Sequence, residues 1–263
     1  MSTSPAPAPA PPAPVSLRAV LRDALRFWRV HFWYLTVIAA ALWLPLGVLE
    51  LSGIAHGIQI DTDHLRFTDV AVNVVIVLVF ELLVTEVLAA ASEKIVASDL
   101  HGEELLAPRK FLRSVPWGTL LLGTIVYEIG VGIGLAIFVI PGFVIATWGV
   151  VTGPVIVAER SGALHAPRRS RDLVRGSFRP VALFVFLAFV FSETISNIAG
   201  ALLDLLPQSW AEPTGEYVVH VLTSPLFGMA TAVLYYALLE RERERERART
   251  RTNPPEAGPS SIG

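Results

Sequence analysis

Apolar residues run along this chain in long unbroken blocks and do not alternate with polar ones. Five windows stand out: Phe32–Gly53, Val70–Ala91, Gly118–Ala158, Val181–Leu203 and Tyr217–Leu239. A helix crossing a bilayer needs about 20 apolar residues, so four windows suit one span each and the third suits two. Between Trp117 and Ala158 the one formal charge is Glu128. Inside that block Pro141-Gly142 predicts a turn, because proline removes a backbone donor and glycine tolerates a turn's dihedrals. The spans then fall near 32–53, 70–91, 118–139, 143–158, 181–203 and 217–239. The fourth is short and calls for protein neighbours or local bilayer thinning. The expected fold is all-α: a polytopic membrane bundle of six transmembrane helices with amphipathic helices on its inner surface.

Charge supports that count. With the amino terminus in the cytoplasm, every Lys and Arg except Arg66, out of 21, falls on a cytoplasmic segment. The outer segments hold Asp61, Asp63, Asp69, Asp204, Glu212 and Glu216 instead. Basic residues gather on the inner side of membrane proteins, so both termini are expected to be cytoplasmic. A single span over 117–158 would move the arginines after residue 159 to the outside, which the same rule disfavours.

Between the spans lie two amphipathic segments. In SLRAVLRDALRFWRVHF the apolar positions Leu17, Val20, Leu21, Ala24, Leu25 and Trp28 share one helical face. Arg18, Arg22, Arg26 and Arg29 share the other, and Ser16 can cap the start. This pattern suits a helix in an anionic headgroup layer, and equally a collar packed on the ends of the spans. The second segment, APRRSRDLVRG over 166–176, has proline near its start and glycine past its end. Arg168, Arg169, Arg171, Arg175 and Arg179 make it a candidate contact for lipid phosphates as well as a topology signal. No nucleic-acid fold or aromatic platform accompanies these arginines, so nucleic acid is not an expected partner. The run ERERERER, 240–247, is expected to extend the last helix into the cytosol, with like charges at i, i+4 limiting its own stability.

Composition narrows the class further. The charged fraction is 17 %, against about 25 % in soluble domains. There are no cysteines, which excludes disulfides and thiolate chemistry. The Pro/Ala-rich residues 1–15 and the polar residues 248–263 are expected to be disordered tails around a membrane domain at 16–247. No cleavable signal peptide is expected at the start.

Two stretches together resemble a known family: IPGFVIATWGVVTGPVIVAERSGALHAPRRSRDLVRGSFRPV and SPLFGMATAVLYYALLERERE. The matching residues are Pro141, Gly142, Pro154, Glu159, Ser170, Gly176, Pro225, Leu234, Tyr235 and Tyr236. Their arrangement resembles bacterial six-span proteins related to the membrane domain attached to some glycerophosphodiester phosphodiesterases. The opening RDALRFWRVHFWYL is similar to that family's start, so the likeness covers about 16–245. Departures are Pro167, where an apolar residue is usual, and Ala237 and Leu239, where charged residues close the motif. The resemblance implies a bacterial inner-membrane location and an architectural motif. It implies no reaction, since the phosphodiesterase chemistry belongs to a separate soluble domain whose His-Arg-Gly opening has no counterpart here.

Candidate chemistry is sparse. No His-Glu-x-x-His helix, P-loop or Gly-x-Ser-x-Gly elbow occurs, and the six histidines are scattered. No metal or cofactor is expected. The carboxylates say more: Glu81, Glu128 and Glu193 fall near the centres of their spans, where a charge costs roughly 3 kcal/mol on the insertion scale. They can converge on a cavity and bind protons or cations, as in a small transporter or channel. They can equally be polar links between helices, with Asn197 one turn after Glu193 as a partner. The expected function is non-enzymatic: a scaffold, a partner subunit or homo-oligomer, or a lipid-organising element, with transport the alternative.

Overall fold

The computed structural model describes residues 15–51, 84, 87–102, 110, 113–203 and 208–252. Among these, 90 % are helical and none is in a strand. Of the predicted span 70–91 only 84 and 87–91 are among the described residues, and Glu81 and Arg66 lie outside them. The same holds for most of the amino-terminal tail and for 253–263.

Helix α1, Leu17–Val30, begins at Ser16, whose hydroxyl accepts from the Ala19 amide at 3.4 Å. That cap satisfies one of the amides a helix start leaves open. Val20 and Ala24 are buried while Arg18, Arg22, Arg26 and Arg29 are exposed, as the amphipathic pattern predicts. The chain turns by 81° at His31 and enters α2, Phe32–Leu51. Segment α3 covers 87–101 and is lined by small residues, with Leu88, Ala90 and Ala91 buried.

The apolar block 117–158 is a helical hairpin, as expected, but its turn is not at Pro141-Gly142. Helix α4 is Trp117–Ile137, the break is the single extended residue Phe138, and α5 is Val139–Gly149. Pro141 sits in the first turn of α5, where a missing N–H removes a donor that would have no intrahelical partner. Gly142 serves close approach: a Cβ on Gly134 would lie 2.8 Å from the Gly142 Cα. The second arm continues through α6, Thr152–Glu159, so Val139–Glu159 is 21 residues long. The helical second arm therefore begins four residues before the predicted span 143–158 and ends one residue after it. The break between α5 and α6 is at Val150–Val151, because Pro154 cannot donate to the Val150 carbonyl and its ring crowds that oxygen.

A loop through Arg160, which adopts the left-handed region at φ 49°, leads to α7, Ala166–Arg175. Helix α8, Phe178–Leu203, follows, and then α9, Gln208–Thr252, of 45 residues. At 1.5 Å per residue α9 is about 68 Å long, more than twice a hydrocarbon core of about 30 Å. It runs on through the ERERERER segment to Thr252, so residues 248–252, expected in a disordered tail, are helical. Within α9, Thr223 and Ser224 bond the carbonyls one turn back, beside Pro225.

Helix α9 is the axis on which α1, α2, α6, α7 and α8 all pack, with the largest buried cluster around Met229, Leu234, Tyr235 and Leu238. Its contact with α2 is polar as well as apolar. Trp43 Nε1 donates to Ser224 Oγ at 3.2 Å and stacks on His220 at 4.4 Å, and the Tyr217 hydroxyl donates to the Ala40 carbonyl at 2.9 Å. Such interhelical bonds spare polar groups an unpartnered place in lipid. Four described helices are long and apolar enough to cross a membrane, or five if α1 and α2 count as one bent span.

Gly134→Ala should lower the thermal midpoint of the detergent-solubilised protein, at a cost of about 1–3 kcal/mol for forcing two backbones apart. Gly132→Ala, where the added carbon meets nothing within 4 Å, should leave it unchanged or slightly higher.

Candidate functional site

The densest polar constellation lies where α3, α6, α7 and α9 meet. Glu159 closes α6, one residue before the left-handed turn at Arg160 that brings α7 back alongside it. Arg169 projects from α7 between two carboxylates. Its Nη1 and Nη2 donate to the two oxygens of Glu242, each at 2.6 Å, and its Nε lies 3.1–3.2 Å from those of Glu159. The planar guanidinium fork suits this bidentate arrangement, which a lysine could not reproduce. The Glu242 hydrogen bonds hold the Arg169 guanidinium above its ordinary range, with Glu159 adding to them against the opposing effect of burial. A raised basic group stabilises the fold fully below its unfolded pKa and loses that contribution only as pH climbs through its folded one. Arg169 therefore stays charged and bridging through the whole neutral region.

Two tyrosines extend the constellation along α9. The Tyr235 hydroxyl donates to Glu159 Oε1 at 3.1 Å, and its ring meets that of Tyr236 edge-on at 5.1 Å. The Tyr236 hydroxyl donates to Glu93 Oε1 at 2.9 Å. Glu93, on α3, is 1 % exposed, and Lys94 Nζ stands 3.4 Å from its other oxygen. The chain of contacts thus runs from Lys94 and Glu93 through both tyrosines to Glu159, Arg169 and Glu242, joining four helices.

A second set of bonds ties the α7–α8 corner to the charged end of α9. Arg241 donates to the Gly176 carbonyl and to the Ser177 hydroxyl, and Arg245 Nη2 donates to the same carbonyl at 3.1 Å. A Cβ at Gly176 would meet the Arg245 guanidinium, the movable end of a long side chain, which would have to shift. Ser170 donates to the Trp148 carbonyl at 2.7 Å, and the Arg171 guanidinium lies 4.5 Å over the Trp148 ring.

Of the architectural residues read from the sequence, the structure brings Glu159, Tyr235 and Tyr236 into one network, with Ser170 and Gly176 beside it. Pro154 sets the break above it, while Pro141 and Gly142 lie at the far hairpin tip and Pro225 lies higher on α9. Among the five arginines read as headgroup contacts, Arg168, Arg171, Arg175 and Arg179 are exposed. Arg169 instead turns inward to the two glutamates. Of the intramembrane polar set, Glu81 and the side chain of Glu193 lie outside the described residues. Glu128 is half-buried on α4 and Asn197 is exposed on α8.

Sequence reasoning missed Glu93, Arg241 and Glu242. Glu93 had a signal, a carboxylate directly after the small-residue run AAAS. The alternating run had one too. Residues four apart share a helix face, so Arg241 and Arg245 present one charge to α7 while Glu242 reaches Arg169. Like charges at that spacing looked unfavourable only while the helix was considered alone. Chemically, this arrangement fastens helices: guanidinium, carboxylates and hydroxyls are spent on one another. Among the described residues no group of three or more His, Cys, Asp or Glu is placed to hold a metal ion. Compared with protein-family models, curated proteins and solved structures, the chain matches none of them.

Arg169→Ala should destabilise the folded protein by about 2–3 kcal/mol, the size expected for hydrogen bonds to charged groups, and Arg169→Lys should recover little of it. Tyr236→Phe, which strips a buried carboxylate oxygen of its donor, should cost about 1–3 kcal/mol. Chemical denaturation in detergent micelles reads both, and a coupling of Arg169→Ala with Glu242→Gln near zero would show the bridge to be incidental.

Proposed function

We propose that this chain is a non-enzymatic integral protein of the bacterial inner membrane. Six apolar helical segments embed it, and both termini are cytoplasmic. It belongs, on this reading, with the six-span proteins related to the membrane domain of glycerophosphodiester phosphodiesterases. Its role is to hold and organise anionic lipid around a rigid helical scaffold, on which a protein partner or a second copy can assemble.

The observation that carries this reading is how the charges divide at one end of the bundle. Arg169, Arg241 and Arg245 are used internally, and they lock the helices together. Arg18, Arg22, Arg26 and Arg29 of α1, with Arg168, Arg171, Arg175 and Arg179 around α7, remain exposed. Each exposed cation near an anionic surface contributes about 1 kcal/mol of attraction. A rigid frame carrying a solvent-facing basic belt beside apolar helix faces is built to gather acidic headgroups. The transport alternative relies on convergence of Glu81, Glu128 and Glu193, of which Glu81 and the side chain of Glu193 lie outside the described residues.

Purified protein should retain co-purifying anionic phospholipid, measured by native mass spectrometry. The quadruple change of Arg168, Arg171, Arg175 and Arg179 to Gln should lose most of it while keeping the fold. Equal retention by both proteins would remove the basis of the proposal. In proteoliposomes the wild type and Glu128→Gln should both show cation flux no greater than empty vesicles, whereas a flux abolished by Glu128→Gln would favour transport.

A further inference from the structure

The tip of the α4–α5 hairpin presents a different surface. Ile137, Phe138, Val139 and Ile140 are 63–72 % exposed, and no polar side chain stands among them. A turn reaching water on the far side of a membrane would expose four large apolar residues in succession there, against the hydrophobic effect. We infer that α4 and α5 form a re-entrant hairpin, which enters from the cytoplasmic side and ends within the bilayer, so that its tip docks among lipid acyl chains. This rests on the membrane-embedded reading proposed above.

Neighbouring elements set the depth. Helix α7 carries Arg168, Arg171, Asp172 and Arg175 exposed, so it belongs to the headgroup layer or the water beyond. It is pinned to Trp148 through the Ser170 bond and the Arg171 contact. Phe178, which opens α8, also meets Trp148, ring to ring at 6.3 Å. Trp148 therefore marks the cytoplasmic interface, a level at which tryptophan is favoured. From Trp148 back to Val139, α5 climbs about 14 Å, half of a hydrocarbon core of about 30 Å. Helix α8 leaves the same level and runs for 26 residues, about 39 Å, enough to cross completely. Tilting would only lower the hairpin tip further.

The other arm agrees. Gly123 of α4 packs against the loop before α7: a Cβ there would stand 3.5 Å from the Ala163 carbonyl oxygen. From Gly123 to Ile137, α4 rises about 21 Å, again short of a full crossing. Tyr127 donates to the Ala146 carbonyl at 3.0 Å, which places Tyr127 and its neighbour Glu128 near the Trp148 level. Glu128 then lies close to the interface and away from the bilayer centre. The turn is also economical in polar backbone, which lipid tolerates poorly. The Phe138 amide donates to the Gly134 carbonyl at 3.0 Å, the Phe138 carbonyl accepts from the Gly142 amide at 3.4 Å, and Pro141 has no amide hydrogen. Such a hairpin adds the bulk of two helices to one leaflet and none to the other, an asymmetry suited to organising lipid.

The absence of cysteine makes the test direct, since any introduced thiol is the sole one. Phe138→Cys and Ile140→Cys would be compared with Asp61→Cys and Glu212→Cys on the predicted outer side and Arg249→Cys on the inner. Intact spheroplasts and inverted vesicles would be treated with a membrane-impermeant maleimide, and nitroxides at 138 and 140 probed with oxygen and a polar nickel relaxant. The expected result is that the tip reacts from neither side while its nitroxides respond strongly to oxygen and weakly to nickel. Maleimide labelling of the tip from either side overturns the inference, as does shielding of the nitroxides from both relaxants. Controls that fail to separate the two sides would instead sink the underlying membrane reading.

Discussion

One guanidinium ties together the helices that meet around Glu159 and Glu242. Arg169 bridges Glu159, at the end of the hairpin's second arm, and Glu242, beyond the apolar part of α9. Half of the residues of α7 are charged, and apart from that bridge it is held by the buried Ala166, Leu173 and Val174 and by the Ser170 and Arg171 contacts to Trp148. Half-buried charges gain from pairing only when geometry is good and the remaining lone pairs are satisfied. Here both conditions hold, since the fork is bidentate on Glu242 and Tyr235 supplies a further donor to Glu159. The arrangement turns an alternating charged run, marginal as a free helix, into the docking strip for the α7–α8 corner.

The apolar architecture was legible because bilayer thickness imposes it. A block the length of 117–158 with one charge is twice what one crossing needs, and an arginine distribution that gathers on one side favours a fold-back between Arg113 and Arg160. What composition could not place was the turn. Proline and glycine are strong turn signals in water-exposed chain, but Pro141 is equally at home in a helix's first turn. Gly142 is needed for contact with Gly134, which only the folded hairpin reveals. Phe138, the residue that actually breaks the helix, has no propensity that marks it.

Among the site residues, Glu159, Ser170, Gly176, Tyr235 and Tyr236 were singled out only by a resemblance, without any indication of what each touches. Their partners were hidden for a physical reason. Glu93 meets Tyr236, and Arg169 meets Glu242, across separations in sequence that no local periodicity encodes. The same arginine cluster that signals topology also contains the residue turned inward, and charge alone cannot distinguish Arg169 from Arg168. The structure separates them by burial and by the two carboxylates facing Arg169.

Function follows from how polarity is spent. In the function proposed above, bonds at the base give rigidity, the exposed arginines are the belt for acidic headgroups, and the exposed apolar faces are those that meet lipid. The account requires above all that the charged end of α9 be a folded, docked part of the protein. Amide hydrogen exchange of the full chain in lipid nanodiscs tests this most directly. Backbone amides over 241–247 should exchange far more slowly than those of an isolated charged helix, with Arg169→Ala releasing that protection. Rapid exchange there in the unaltered protein would contradict the account.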